Sequence, residues 1–126
     1  MGTNPVAWFE IYVDDMQRAC VFYQSVLNVT LQKLEDPTGS GIEMWSFPSD
    51  VERYGAPGAL VKMEGFSAGG NSTLVYFGCE DCAIEESRVE EAGGQIHQAK
   101  MEIGEYGAVS IVIDTEVNMF GLHSGG

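Results

Sequence analysis

The stretch WFEIYVDDMQRACVFYQSVLN, residues 8–28, decides how the chain is organised. Its first part alternates, with Phe9, Ile11 and Val13 on one side and Trp8, Glu10 and Tyr12 on the other, which is the two-residue period of a strand. Asp14 and Asp15 offer an N-cap, and Met16, Ala19, Cys20, Phe22, Tyr23, Val26 and Leu27 then recur at three- and four-residue spacing. That spacing predicts an amphipathic helix ending near Asn28, its apolar stripe covering the Phe9, Ile11 and Val13 face. Glu10 is therefore left on the other face, between two aromatic side chains.

Working outward, strands are expected near Thr30–Leu34, Gly41–Phe47 and Ala59–Glu64, separated by the turn-rich DPTGSG and the loop PSDVERYGAPG. After the linker-like SAGGN, the order begins again: TLVYFG as a strand, DCAIEESRVEEAGG as a helix stopped by Gly93 and Gly94, then QIHQA, AVSIVID and NMFGLH as strands. An offset of 66 residues lays Asp15 on Asp81, Val13 on Cys79, Ile11 on Phe77 and Phe9 on Val75. Duplicated units of this kind pack with their sheets curved around a shared space, which makes a concave pocket between them the expected site.

At 126 residues the chain suits one domain, and 44% hydrophobic with 10% aromatic residues is enough for a packed core. Nineteen Asp and Glu against six Lys and Arg give a net charge of −13, which repels phosphate backbones and anionic lipid and argues against nucleic-acid and membrane-surface roles. Much of the acid, Glu80, Asp81, Glu85, Glu86, Glu90 and Glu91, falls on the second helix and reads as a solvated face. The N-terminus has no basic start followed by an apolar run, so a cytoplasmic location is expected. Cys20, Cys79 and Cys82 are expected as thiols there. The Cys79–Cys82 pair is a CxxC, yet the repeat lays both on core positions, Val13 and Met16.

These residues resemble the vicinal oxygen chelate superfamily, which holds glyoxalase I, bleomycin-resistance proteins and extradiol dioxygenases. FYQSVLN resembles its FYxxVLG helix end, and DTEVN before the last strand resembles its DPxGN. The WFEI start and GLHS end are similar to small bacterial members described as glyoxalase-related. The resemblance implies an α+β fold of two βαβββ modules, about 5–66 and 71–124 in one domain 1–126, whose mixed sheets curl around a shared cavity. It also implies a homodimer.

Metal-dependent members carry His or Glu ligands on the first, fourth, fifth and eighth strands. Carried over, those positions fall on Trp8, approximately Lys62, Leu74 and Gly121, none of them a usual ligand for a divalent ion. No cofactor is therefore expected. The chain is expected to bind a small organic ligand in a cavity lined by Trp8, Glu10, Tyr12, Lys62, Tyr76 and His123. The alternative is a lactoylglutathione lyase-like or dioxygenase-like enzyme. It would use either a displaced metal set of Glu10, Glu64 and His123, or Glu10 and His123 as a metal-free acid and base with Lys62 balancing the carboxylate. Other aromatics, Trp45, Tyr54 and Tyr106, are further candidates for a ligand wall, and an interaction module using the acidic face is a third class.

Overall fold

A computed structural model describes residues 6, 8–36, 39, 41–50, 55–71 and 73–125. The first module runs β1 (Phe9–Tyr12), α1 (Met16–Leu27), β2 (Gln32–Leu34), β3 (Glu43–Ser46) and β4 (Gly58–Lys62). The second repeats it as β5 (Tyr76–Cys79), α2 (Cys82–Val89), β6 (Gln95–Glu102), β7 (Ala108–Ile113) and β8 (Met119–Ser124), with one 3-10 turn at Gly104–Tyr106.

The helix ends follow local chemistry. Asp15 caps α1 by accepting from the Arg18 N–H at 3.0 Å, and Asp81 caps α2 by accepting from the Ala83 N–H at 3.0 Å. α1 stops at Asn28, whose φ of 57° turns the chain left-handed, and asparagine tolerates that conformation where most side chains do not. α2 ends earlier than the Gly93–Gly94 signal suggests, at Val89, and a short run of turns carries the chain on to Gly93 at φ 104°.

Each module folds into its own sheet, ordered β1-β4-β3-β2 and β5-β8-β7-β6. β1 lies parallel to β4 and β5 parallel to β8, while the remaining pairs are antiparallel. This order leaves β1 and β5 at the edges, and the two edges meet as a seam. No ladder joins them among the described residues. The seam is held by side chains: Phe9 packs edge-on to Phe77 with ring centroids 5.8 Å apart, and Asn118 Nδ2 donates to the Tyr12 carbonyl at 2.8 Å.

Both helices lie on the same side of this double sheet and share one core. Phe22 and Tyr23 of α1 are fully buried, and Tyr23 touches Phe47, Phe77 and Phe120, so one residue packs on both modules. Burying a side chain of this size is worth about 3 kcal/mol, provided its hydroxyl finds a partner. It does, donating to Asp114 Oδ2 at 2.6 Å.

Asp114 opens the tight DTEVN turn between β7 and β8, and that turn latches the modules together. Glu116 is 2% exposed, and its carboxylate accepts from the Asp14 and Asp15 N–H groups and from Arg18 Nε and Nη2. Burial alone would raise the Glu116 pKa, yet Arg18, the Asp15 and Asp14 amides and the Thr115 hydroxyl hold it down to about 2. Burial raises that of Asp114, outweighing its bonds from Tyr23 and Asn118.

Candidate functional site

The sheet faces turned away from the helices form a trough along the seam. From β1 it receives Glu10 and Tyr12, and from the residue just before β1 Trp8, the side chains that alternation leaves opposite the core. Glu10 is flanked by its own neighbours: Trp8 Nε1 donates to its Oε2 at 3.1 Å, and the Tyr12 hydroxyl donates to its Oε1 at 2.8 Å. The bond to Glu10, with some burial, raises the Tyr12 pKa. Among the described residues no cationic side chain pairs with Glu10.

Two cavities meet at this carboxylate. The larger, about 910 Å³, runs beside Trp8, Glu10, Leu74, Tyr76 and His123. The smaller, about 250 Å³, is closed by Tyr12, Phe66, Asn71, Thr73, Asn118 and Met119. Trp8, Leu74 and Tyr76 are all more than a third exposed, so the trough presents apolar surface to solvent.

His123 faces the trough from β8, beside Gly78 of β5 and Val109 of β7. Its Nε2 lies 2.8 Å from the Tyr106 carbonyl, which assigns the proton to Nε2 when the ring is neutral and leaves Nδ1 as an acceptor. Glu10 and His123 thus share the larger cavity, each held by a different partner.

Lys62 is placed elsewhere. In β4 it follows Leu60 on the helix-facing side and lies opposite Glu43, whereas Glu10 sits beside Ala59 on the trough side. The expected balance of Glu10 by Lys62 is therefore corrected by one residue of register, and the neighbouring trough position is Val61. Glu64 lies past the end of β4, and Glu10, Glu64 and His123 are not gathered into a metal-binding group; none of three or more His, Cys, Asp or Glu exists among the described residues. The displaced metal set is not assembled.

The family's metal positions fit an ion no better. A Cβ on Gly121 would run into the Tyr76 ring, so that ring already lies over the eighth-strand position. Indole, leucine and phenol surfaces then stand where hard or borderline ligands would be needed. The residues present do not suit a divalent ion.

Of the other aromatics, Trp45 packs against the core and Tyr106 is exposed with its carbonyl on His123, while Tyr54 lies outside the described residues. The thiols are free, and burial pushes Cys20 up to about 11 and Cys79, with help from Glu85, up to about 12. Neither is a reactive thiolate.

The sequence reading missed the closing segment of the smaller cavity, because SAGGN looks like a linker. In the structure it is tied down at several points: the Ala68 N–H donates to Asp14, the Gly69 N–H to Asn118 Oδ1, and Asn71 bonds both the carbonyl and the N–H of Met119. Phe66 stacks on Tyr12 at 5.4 Å. The available signal was Asn71 itself, whose amide can pair with a passing strand.

Among solved structures, a glyoxalase I variant from Zea mays superposes with a TM-score of 0.74 at 20% identity, over 95% of this chain and 46% of that one. The chain thus spans about half of the maize protein. An antibiotic binding protein from a Streptomyces species matches over 100% and 99% of the two chains at 21% identity and a TM-score of 0.70. A glyoxalase-related enzyme from Fulvimarina pelagi matches over 94% and 86% at 16% identity and a TM-score of 0.68. These identities speak for the fold. No curated protein sequence matches. The family model for the Glyoxalase/Bleomycin resistance protein/Dioxygenase superfamily matches residues 6–120, and with two βαβββ sheets meeting at a seam, the chain belongs to that superfamily.

Proposed function

We propose that this chain binds a small organic ligand in the trough, without the family's standard metal site. The observation that carries this reading is Glu10: a carboxylate in an aromatic wall, held by Trp8 and Tyr12, at the junction of two cavities. Ligand cavities typically combine apolar walls with a few oriented polar groups, and this trough has that composition. Support also comes from the full-length likeness to an antibiotic binding protein. Trp8 and Tyr76 offer flat faces, Glu10 an acceptor, and His123 a ring nitrogen.

The test is a thermal-shift screen of small aromatic and heteroaromatic compounds on wild type and Glu10→Ala. Ligands that raise the wild-type midpoint should lose at least half of that shift in the variant. Equal shifts in both proteins would remove Glu10 from the site.

A second reading, metal-free acid and base catalysis, is favoured by the shared cavity of Glu10 and His123. It requires turnover that survives EDTA and is lost in both Glu10→Gln and His123→Gln. The apolar surface of Trp8, Leu74 and Tyr76 also supports a homodimer that covers the trough. At a charge of −13, polyanions are unsuitable partners.

A further inference from the structure

The trough is short of hydrogen-bond donors. Its side-chain N–H and O–H groups are largely committed within the protein: the Trp8 indole and the Tyr12 hydroxyl to Glu10, and the Asn71 and Asn118 amides to the Met119 and Tyr12 carbonyls. His123, when neutral, gives its Nε2–H to the Tyr106 carbonyl and keeps Nδ1 as an acceptor. Each Glu10 oxygen holds one of these bonds and has capacity for another, since a carboxylate accepts about four in all. The hydroxyls of Ser67, Thr73 and Tyr76 can turn to accept as readily as to donate. Among the described residues no Lys or Arg lines either cavity.

Such a trough discriminates by charge. An anion would give up its hydration beside Glu10 and an aromatic wall, with hydroxyls as the side-chain donors left to replace it. A neutral ligand gains apolar contact but brings Glu10 no counter-charge. A cation gains a charge-assisted N–H···O bond to Glu10 and attraction to the faces of aromatic rings, and the net charge of −13 raises its local concentration. The rings are in place for it: Trp8 and Tyr76 line the larger cavity beside Glu10, and Tyr12 and Phe66 line the smaller. They also favour a flat apolar body. We propose, on the reading that the trough is a ligand site, that its ligand is an organic cation on a flat apolar body, an amidinium, guanidinium or ammonium whose N–H donates to Glu10.

The test is an NMR titration of the ¹⁵N-labelled full chain near pH 7 with benzamidinium, benzamide and benzoate, which share size and shape and differ in charge. The Trp8 indole N–H, bonded to Glu10, reports on the site, and that of Trp45, bonded to Glu43 at 3.3 Å, is the internal control. Benzamidinium should shift the Trp8 resonance saturably, leave that of Trp45 in place, and bind about tenfold more tightly than benzamide, a gain within the range of hydrogen bonds to charged groups. Benzoate should bind most weakly. Glu10→Gln, which keeps an acceptor and loses the charge, should erase the difference between benzamidinium and benzamide. Glu91→Gln, the same loss of charge at an exposed position outside the trough, should preserve it. Equal binding of benzamidinium and benzamide, tighter binding of benzoate, or a preference that persists in Glu10→Gln and so belongs to the overall charge would each overturn the cation, while leaving the function proposed above intact. No shift at Trp8, Tyr76 or His123 with any of the three compounds would overturn both.

Discussion

Val117 sits at φ 66°, in the left-handed region, where a β-branched side chain crowds its own backbone. It is the fourth residue of the DTEVN turn, at the position that the DPxGN pattern gives to glycine. The turn keeps this geometry because its ends are fixed elsewhere: Asp114 accepts from the Glu116 and Asn118 N–H groups, and Glu116 is bound to α1. Val117 is 69% exposed, so its side chain contributes little burial to offset the strain. Val117→Gly should therefore stabilise the protein by about 1 kcal/mol, the relief of strain outweighing the extra freedom of glycine in the unfolded chain. Thermal melts would show this as a rise of about 3 °C. An unchanged or lower midpoint would mean that the turn relaxes around valine at no cost.

At the scale of elements, the link between α1 and the β7–β8 turn carries a pH dependence of definite sign. Glu116 has an ordinary carboxyl pKa of 4.5 when unfolded and about 2 when folded, so it contributes stability above pH 4.5 and loses it as pH falls from 4.5 towards 2. With Arg18 half exposed, the contribution at neutral pH is about 2 to 3 kcal/mol. Asp114, raised by burial, acts in the opposite sense and regains stability as it protonates. Subtracting the unfolding free energy of Glu116→Gln from that of wild type isolates the Glu116 part. The difference should be near its full value at pH 6 and shrink below pH 4.5; a constant difference would show that the ion pair is not what stabilises the latch. The parts of this link were visible in the sequence as an N-cap at Asp15 and a DPxGN-like turn, but their joining was not, because they are about 100 residues apart. The same limit explains Lys62. Alternation assigns faces correctly within a strand whose phase is known, as for Trp8, Glu10 and Tyr12. In β4 the run GALVK is buried on both faces up to Val61, so no polar-apolar alternation marks its phase. Tyr76 covering Gly121 was likewise beyond a sequence pattern, since it depends on parallel pairing of β5 with β8.

At the scale of the molecule, the repeat, the seam and the charge act together. Two sheets that share no ladder at β1 and β5 are held by Phe9–Phe77, Tyr23 and the Glu116 latch, so few elements resist separation of the modules. Against them stands a net charge of −13 on 126 residues, whose self-repulsion favours expansion. Salt screens that repulsion over about 10 Å at 0.1 M, whereas the buried Glu116 carboxylate and the aromatic contacts are screened much less. Melting temperature should therefore rise with KCl from 10 mM to 0.5 M. The rise should be smaller in a double variant, Glu91→Lys with Glu105→Lys, both exposed positions that reduce the negative charge without touching the latch. Equal ionic strength of NaCl should act as KCl does, because the effect is screening rather than ion binding. A melting temperature that is flat or falls with salt would mean that the Arg18–Glu116 pair, not the overall repulsion, dominates the electrostatics of the fold.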